Sequence, residues 1–548
     1  MSIILFTSNR VIDYNSLVAT VVTVTRPSGC PHRAPLFLHL HNFQRSFHDQ
    51  DNYPIIIYKT NLLFKTMLAS YLYTSQTIPR TLRRFKASLT PNFNFAHMEQ
   101  LIKQPHTIYQ PPISPLPSSF TAQQRQKLSQ VSSIPFGTAT KEQLFFVDPT
   151  WTFLNHGAFG GALRLGFEEA EQWRRYVELQ PLRFFDRDLL PHLADSVRML
   201  SEFINAKPTD LVLLPNATSG LNVVLRSVIS NLNASQDRVV MYDTAYGSVK
   251  KIIIDQCNKY NIQLDVISFP LPLSCNEKEA KEQLLSSLTN VIDANTKLVI
   301  LDHTTSQTAI NLPILEMTQK CKELGCERVV VDGAHGLLAK ELDMELLKKG
   351  GVDYYISNCH KWMSSPKSIG MLWVTSDQYK QECLENVNVI SHGYDKGFSS
   401  GLLWDGCKDY SAVLALPSVL QFWKNVGIDT VHNYTNDLLN KAIVLLRDEW
   451  SENEGGCLIG PQELVGPMAL VSLPSSTFDL QNGNATSNDA EEIQDLLYEK
   501  EIECPVKNIQ GVLYVRISVH VYNELKDYEV LAKGVLEIMS ERERNGSV

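Results

Sequence analysis

Short apolar runs with no polar alternate recur through the middle of the chain, separated by segments whose apolar residues return every three or four positions. Residues 211–215, 238–242, 297–301, 329–331, 352–356 and 371–374 are largely such runs, and 262–269, with Gln263, Asp265 and Ser268 among its apolar residues, reads as a further strand. A β-branched or aliphatic run of this kind reads as a strand covered on both faces. Residues 221–229, 247–259, 277–288, 312–324 and 344–349 carry the helical period between them, and Gly350-Gly351 stops the last. Strand alternating with helix predicts an α/β fold with a mostly parallel, doubly wound sheet. Helices are also expected at 121–130 and 165–179. From about residue 429 the texture changes to a helix at 430–450, a strand at 468–473, a polar loop at 481–488, a helix at 491–500 and a strand at 512–518. This predicts a second, smaller α+β domain.

The stretch from Arg328 to Val374 organises the rest. In open α/β sheets, ligands sit beyond the carboxyl ends of the strands. Run 329–331 ends in Asp332, and run 352–356 leads into Asn358-Cys359-His360-Lys361. One βαβ unit therefore puts Asp332 and Lys361 on the same rim. An amine there can condense with an aldehyde cofactor, and a carboxylate can keep a pyridine nitrogen protonated so that the ring accepts electrons. Taken alone, the pair also reads as a rim ion pair with a solvated Lys. After run 211–215, Asn216-Ala217-Thr218-Ser219-Gly220 opens a helix. The free N–H groups, the positive dipole end and the Thr218 and Ser219 hydroxyls suit a phosphate; they equally suit a plain N-cap. Neither GxxxxGK[ST] nor GxGxxG is present, so a nucleotide cofactor lacks support.

A chain of 548 residues exceeds one core. Its 44% hydrophobic and 20% charged content is that of a globular protein. A net charge of −9 argues against a general nucleic-acid binder, while leaving room for a local basic pocket. The 10 cysteines are scattered; the closest pair, Cys321 and Cys326, has no partner pair at zinc spacing. No metal is expected, and reduced thiols point to a cytoplasmic-type enzyme. No apolar run is long enough to span a bilayer, so no membrane partner is expected.

Residues 1 to about 96 differ from the rest. Their acids are Asp13, Asp49 and Asp51, with no Glu before Glu99, and their apolar patches are short. The segment reads as a leader, disordered or targeting. The basic part at 67–86, with Arg80, Arg83, Arg84 and Lys86, has transit-peptide composition, which makes a mitochondrial location the alternative to the cytoplasm. His32, His39, His41 and His48 read as exposed histidines of a loose segment. Pro111 to Ser119 reads as an extended linker. The expected organisation is leader and linker at 1–119, an N-terminal arm at 120–205, a large domain at 206–428 and a small domain at 429–548.

Asn358-Cys359-His360-Lys361-Trp362 and Asp332-Gly333-Ala334-His335 resemble the lysine and pyridine-binding motifs of the class-V aminotransferase superfamily, fold-type-I enzymes dependent on pyridoxal 5'-phosphate. The resemblance is to the isopenicillin N epimerase-like branch, which also holds plant-type cysteine desulfhydrases. It runs from about Phe136 to the end of the chain with its motifs in order. Leu154-Asn155-His156-Gly157 resembles the opening motif at the active-site mouth, where small residues let backbone approach a ligand. Pro181 to Phe185 also matches, with Arg183 either an anion contact or structural.

The resemblance implies that Lys361 carries the cofactor, that Asp332 holds its ring nitrogen and that Tyr246 stacks on the ring. It places Ala217, Thr218, Ser219 and His360 around the phosphate and His335 near the phenolic oxygen. The loop Asp302 to Thr308 covers that oxygen and the substrate; His303 equally reads as a satisfied loop histidine. Arg516, in Arg516-Ile517-Ser518, is a carboxylate clamp or structural, and Asn155 is assigned to the substrate. A homodimer is implied. In Trp404-Asp405-Gly406-Cys407-Lys408-Asp409 the family's Thr, which reaches the partner's cofactor phosphate, is replaced by Cys407, a poorer donor.

Proton removal at the α-carbon of an amino acid by Lys361 has three outcomes. β-Elimination from cysteine or a related thiol or thioether is the preferred reading. Epimerisation needs a second acid, for which His156 is the candidate, and transamination is the third. A persulfide-forming desulfurase needs a mobile Cys over the site, and Cys504 looks instead like a strand residue. The non-enzymatic alternative is a degenerate binding protein of the same fold, with Cys407 as its first sign.

Overall fold

The computed structural model describes residues 2–6, 17–25, 37–45, 95–387, 389–474 and 485–544. The chain divides into two units, Met1–Pro91 and Asn92–Val548. In the first, strands Ser2–Phe6, Leu17–Thr25 and Phe37–Arg45 form an antiparallel sheet in that order, with Ser2 opposite Thr23 and Leu17 opposite Arg45. Leu17–Thr25 is rich in valine and threonine, residues that favour strands. The basic stretch 67–86, His32 and His48 lie outside the described residues.

The second unit is built on a seven-stranded sheet. Its strands are β1 (Leu211–Leu214), β2 (Arg238–Tyr242), β3 (Gln263–Ile267), β4 (Thr296–Asp302), β5 (Arg328–Asp332), β6 (Tyr354–Asn358) and β7 (Gly370–Val374), in the spatial order β1-β7-β6-β5-β4-β2-β3. All pairs are parallel except those made by β7, which runs antiparallel to β6 and β1. Every residue of β1, β5, β6 and β7 is buried, whereas β3, on the edge, exposes Gln263 and Val266. The fully covered strands lack polar alternates, and β3, which is open to solvent, has them.

Helix ends fall where the side chains can cap them. Asn216 precedes helix Ala217–Ser230 and accepts the Ser219 N–H at 2.9 Å, so the helix starts four residues before the apolar period does. Asp343 caps Met344–Lys349 through the Leu346 N–H at 2.8 Å. The chain leaves that helix through Gly351 at φ +94°, a conformation only glycine adopts freely.

The packed body begins earlier than the expected linker boundary. Helix Phe95–Lys103 buries Met98 and Ile102, and Arg198 Nη1 donates to the carbonyls of Leu101, Ile102 and Gln104 at 3.1, 2.9 and 2.8 Å. One guanidinium thereby closes the open carbonyl end of the helix. Leu116, in the proline-rich stretch, is also buried.

A second core gathers around helix Ile428–Trp450 and an antiparallel sheet of Met468–Ser472, Val512–Ser518 and Val506–Ile509, in that spatial order. Leu154 of the opening motif joins this core, and Thr152–Phe153 pairs in parallel with Ile502–Glu503. The arm before the large sheet is thus held by the C-terminal part of the chain. Among the described residues, no helix is long and apolar enough to cross a membrane, no cluster of potential metal ligands occurs, and the cysteines are free thiols.

Candidate active site

A cleft of about 140 Å³ opens at the carboxyl ends of β4, β5 and β6. Asp302, Asp332 and Lys361 line it, together with Thr218 from the start of helix Ala217–Ser230 and Tyr246 from the loop after β2. The Asn358 side chain, at the end of β6, accepts the Ala217 N–H at 2.9 Å and ties the helix start to the lysine loop. Asp332 and Lys361 therefore face one small volume.

The charges there are set by burial. Lys361 is pushed down to about 8 by desolvation, with Asp332 pulling it up and Arg516 pushing it further down. Asp332 is only 4% exposed, and burial raises its carboxyl, opposed by the Ala334 N–H and by Lys361. Lys361 Nζ lies 3.3 Å from His335 Nε2. Burial, then the charges of Lys361 and Arg516, hold His335 neutral. Its Nδ1 is buried with no hydrogen-bond partner among the described residues. If Nε2 accepts from the lysine, Nδ1 carries a hydrogen that wants an oxygen acceptor.

The helix start is partly spent on itself. Asn216 Oδ1 takes both the N–H and the hydroxyl of Ser219, at 2.9 and 3.2 Å. Ser219 does not line the cleft, in correction of its assignment to the phosphate; Ala217 and Thr218 do. His360 lines the cleft too, but its Nδ1 donates to the Ile369 carbonyl at 2.9 Å. Burial lowers His360 to about 4, so Nε2 becomes a donor only beside an anion that restores the second proton. Tyr246 is half exposed, leaving its ring free to stack.

His156 is not in the cleft, which corrects its candidacy as a second acid. It is 0% exposed and lies behind Lys361. Its Nε2 donates to the Lys361 carbonyl at 3.0 Å, so Nδ1 must accept, and Tyr522 Oη supplies the hydrogen at 2.7 Å. The ring stacks on His520 with centroids 4.0 Å apart. Both nitrogens are spent, and burial holds the ring neutral. What this imidazole does is fix the backbone of the lysine.

Arg516 is buried behind the loop Asp302 to Thr308. Its Nη1 donates to the Ser306 carbonyl at 2.6 Å and its Nη2 to Asn155 Oδ1 at 3.3 Å, while Nε is buried without a partner among the described residues. Asn155 in turn donates to Glu503 at 2.9 Å. Neither Arg516 nor Asn155 lines the cleft itself. Asn155 and Glu503 form the polar end of an adjoining pocket of about 570 Å³, walled by Phe146, Trp151, Phe153 and Tyr498 and joined to the cleft at Ala158 and Phe159. His303 donates to or accepts from Tyr355 Oη at 2.9 Å and is a satisfied buried histidine.

The sequence profile of the Aminotransferase class-V family matches residues 193–460. Over those residues the chain is similar to the class-V aminotransferase family. The chain is also similar to an L-cysteine desulfhydrase of Arabidopsis thaliana, 29% identical over 415 residues that cover 71% of this chain and 88% of that one. It is similar to isopenicillin N epimerase of Streptomyces clavuligerus, 25% identical over 406 residues, covering 70% and 94%. Its structure matches a cysteine desulfurase of Thermococcus onnurineus NA1 with a TM-score of 0.58 at 15% identity, over 74% of this chain and 98% of that one. The fold is fold type I.

Three residues of the site had no role of their own in the sequence reading. Asp302 had a signal, since it ends an aliphatic run as Asp332 does. Asn358 and Tyr522 had none, because what they do depends on which segments pack together.

Proposed function

We propose that this chain binds pyridoxal 5'-phosphate and catalyses β-elimination from cysteine or a related thiol or thioether amino acid. The observation that carries the reading is one amine, Lys361, held in the cleft with Asp332 and pushed down to about 8. The orphaned Nδ1 of His335 and the half-exposed Tyr246 ring suit the phenolic oxygen and ring face of that cofactor. Thr218, Ala217 and His360 form the phosphate side, where His360 Nε2 would face a phosphate dianion.

When bound, the cofactor supplies an electrophilic carbon and a ring that takes up electrons from the substrate's α-carbon. Asp332 holds a proton at the ring nitrogen. Lys361 Nζ, freed when the substrate amine takes its place, removes the α-proton as general base and can return a proton as general acid. Arg516, with Asn155 setting one edge of its fork, holds the substrate carboxylate. The aromatic pocket beyond Asn155 receives the group on sulfur, which favours a thioether as readily as cysteine.

Two features favour elimination over its rivals. His156 is sealed away, so epimerisation loses its candidate second acid. Cys504 is 1% exposed and burial raises its thiol, the opposite of a mobile nucleophile. Retention of both Lys361 and Asp332 speaks against a degenerate binding protein. The site is read as shared across a homodimer, and the location as cytoplasmic unless the basic leader directs the chain to an organelle.

The test is the purified chain mixed with pyridoxal 5'-phosphate, wild type beside Lys361→Ala. A visible absorption band in the wild type alone, then equal yields of sulfide and pyruvate from cysteine, would support the proposal. No band in either protein sinks it; a band with D-enantiomer and no sulfide turns it to epimerisation.

A further inference from the structure

Asp302 lines the same cleft but has no chemical role in the reading above. It ends β4 as Asp332 ends β5, and the two are register partners across a parallel pair. Register partners on neighbouring strands project to the same face. Both carboxyls are 4% exposed and both line the cleft. They differ in company. Asp332 accepts the Ala334 N–H at 3.1 Å and has the charge of Lys361. The Asp302 carboxyl receives no hydrogen bond from the described residues. Its cation, Lys250, is directed to the Asp243 carbonyl at 3.0 Å. The neighbouring His303 is engaged with Tyr355 and neutral.

Two carboxylates side by side in a buried site do not both ionise. The charge settles where donors and a cation stabilise it, and the proton goes to the other member. Here the donors and Lys361 are on Asp332. Burial, with the adjacent Asp332 charge, pushes the Asp302 carboxyl well up. A carboxylic acid O–H is then left at the cleft with no acceptor among the described residues, where a bound ligand can supply one.

We propose that Asp302 is a second cofactor-contacting residue: a neutral carboxylic acid that donates a hydrogen bond to the bound ring system, while Asp332 beside it carries the single negative charge of the pair. The proposal rests on the cofactor reading given above. It assigns the two aspartates opposite tasks, one acting as an anion and the other as a neutral donor. One net charge on the cleft floor then matches one protonated ring nitrogen, where two would leave an uncompensated charge.

The experiment titrates apoprotein with pyridoxal 5'-phosphate, following the visible spectrum and intrinsic fluorescence, for wild type, Asp302→Asn, Asp302→Leu and Asp332→Asn. Asp302→Asn keeps a neutral donor of the same shape and should bind within about threefold of wild type, whereas Asp302→Leu should bind about tenfold more weakly for want of one hydrogen bond. Asp332→Asn should lose the most. Equal damage from the two Asn variants, or wild-type binding by Asp302→Leu, overturns the proposal. Infrared spectra of the apoprotein at neutral pH give a readout that needs no cofactor and survives any misfolding of the Leu variant. A protonated-carboxyl stretch should be present in the wild type and lost in Asp302→Asn; its absence from the wild type also overturns the proposal. Failure of wild-type apoprotein to take up the cofactor would instead sink the functional reading, with the infrared band still deciding who holds the proton.

Discussion

Lys361 Nζ stands 3.3 Å from His335 Nε2, and the other nitrogen of that imidazole is buried without a partner among the described residues. The lysine has its second polar neighbour in Asp332, so a neutral imidazole and a carboxyl flank one amine. Burial holds that amine down to about 8, against Asp332 and with Arg516. Below that pH Nζ is protonated and cannot attack a carbonyl; above it the amine is free. Capture of pyridoxal 5'-phosphate by apoprotein should therefore speed up about tenfold per pH unit below 8 and level off above it. Stopped-flow absorbance across this range checks the sign. A rate still climbing at the pH where an exposed lysine titrates would contradict the buried amine.

The fixed tautomer of His156 makes a different prediction. Replacing it by Ala removes a wholly buried ring and leaves the Tyr522 hydroxyl without its acceptor, at a cost of about 2–4 kcal/mol in stability. Urea unfolding measures this as a lower midpoint with an unchanged slope. Unaltered stability with a selective loss of activity would restore His156 as an acid.

Gly160 should tolerate nothing larger. At φ +70° it packs on the lysine loop, and a Cβ there would run into the His360 carbonyl and stand 2.8 Å from the Lys361 carbonyl oxygen. Gly160→Ala should move the amine and weaken cofactor binding by about tenfold or more. Gly161→Ala meets only the Val147 side chain at 3.1 Å and the Phe145 ring, and is the matched control. Equal affinities for the two variants would refute the contact.

Arg516 donates on both sides, to Ser306 and Asn155, while Nε has no partner among the described residues. Arg516→Lys keeps a charge but loses the fork. As a carboxylate clamp it should raise KM for cysteine about 10- to 150-fold, the effect of one charge-assisted bond of about 1.5–3 kcal/mol. Steady-state kinetics should show kcat changed far less. A fall in kcat with KM unchanged would argue against the clamp.

Cys407 is exposed and lies outside the cleft of its own chain. If it faces the partner's cofactor phosphate across a dimer, Cys407→Thr supplies a better donor and should tighten cofactor binding by about 1–3 kcal/mol. Equilibrium dialysis of cofactor from both proteins reads this directly. No change would separate Cys407 from the phosphate.

The ends of the buried strands were legible because burial on both faces leaves an unbroken apolar run, and the first polar residue after it marks the rim. Asp332 and Lys361 were found that way. The start of helix Ala217–Ser230 was legible as chemistry but not as geometry: the sequence shows Thr218 and Ser219 side by side, and only the Asn216 cap decides that one faces the cleft and the other does not. His156 looked like an acid at the active-site mouth, because no local pattern tells a lining histidine from one sealed behind the lining.

Sequence by itself determined the order of strands and helices, the rim on which chemistry would sit, and the lysine and aspartate placed there. Tertiary structure decided which side chains share a volume. Asp302 meets Asp332 through the register of two strands, and Arg516 meets Asn155 across 361 positions of chain. Periodicity records whether a residue is covered, a local property. Register and the docking of distant segments are set by the closing of the whole core, so they appear only when the chain is folded.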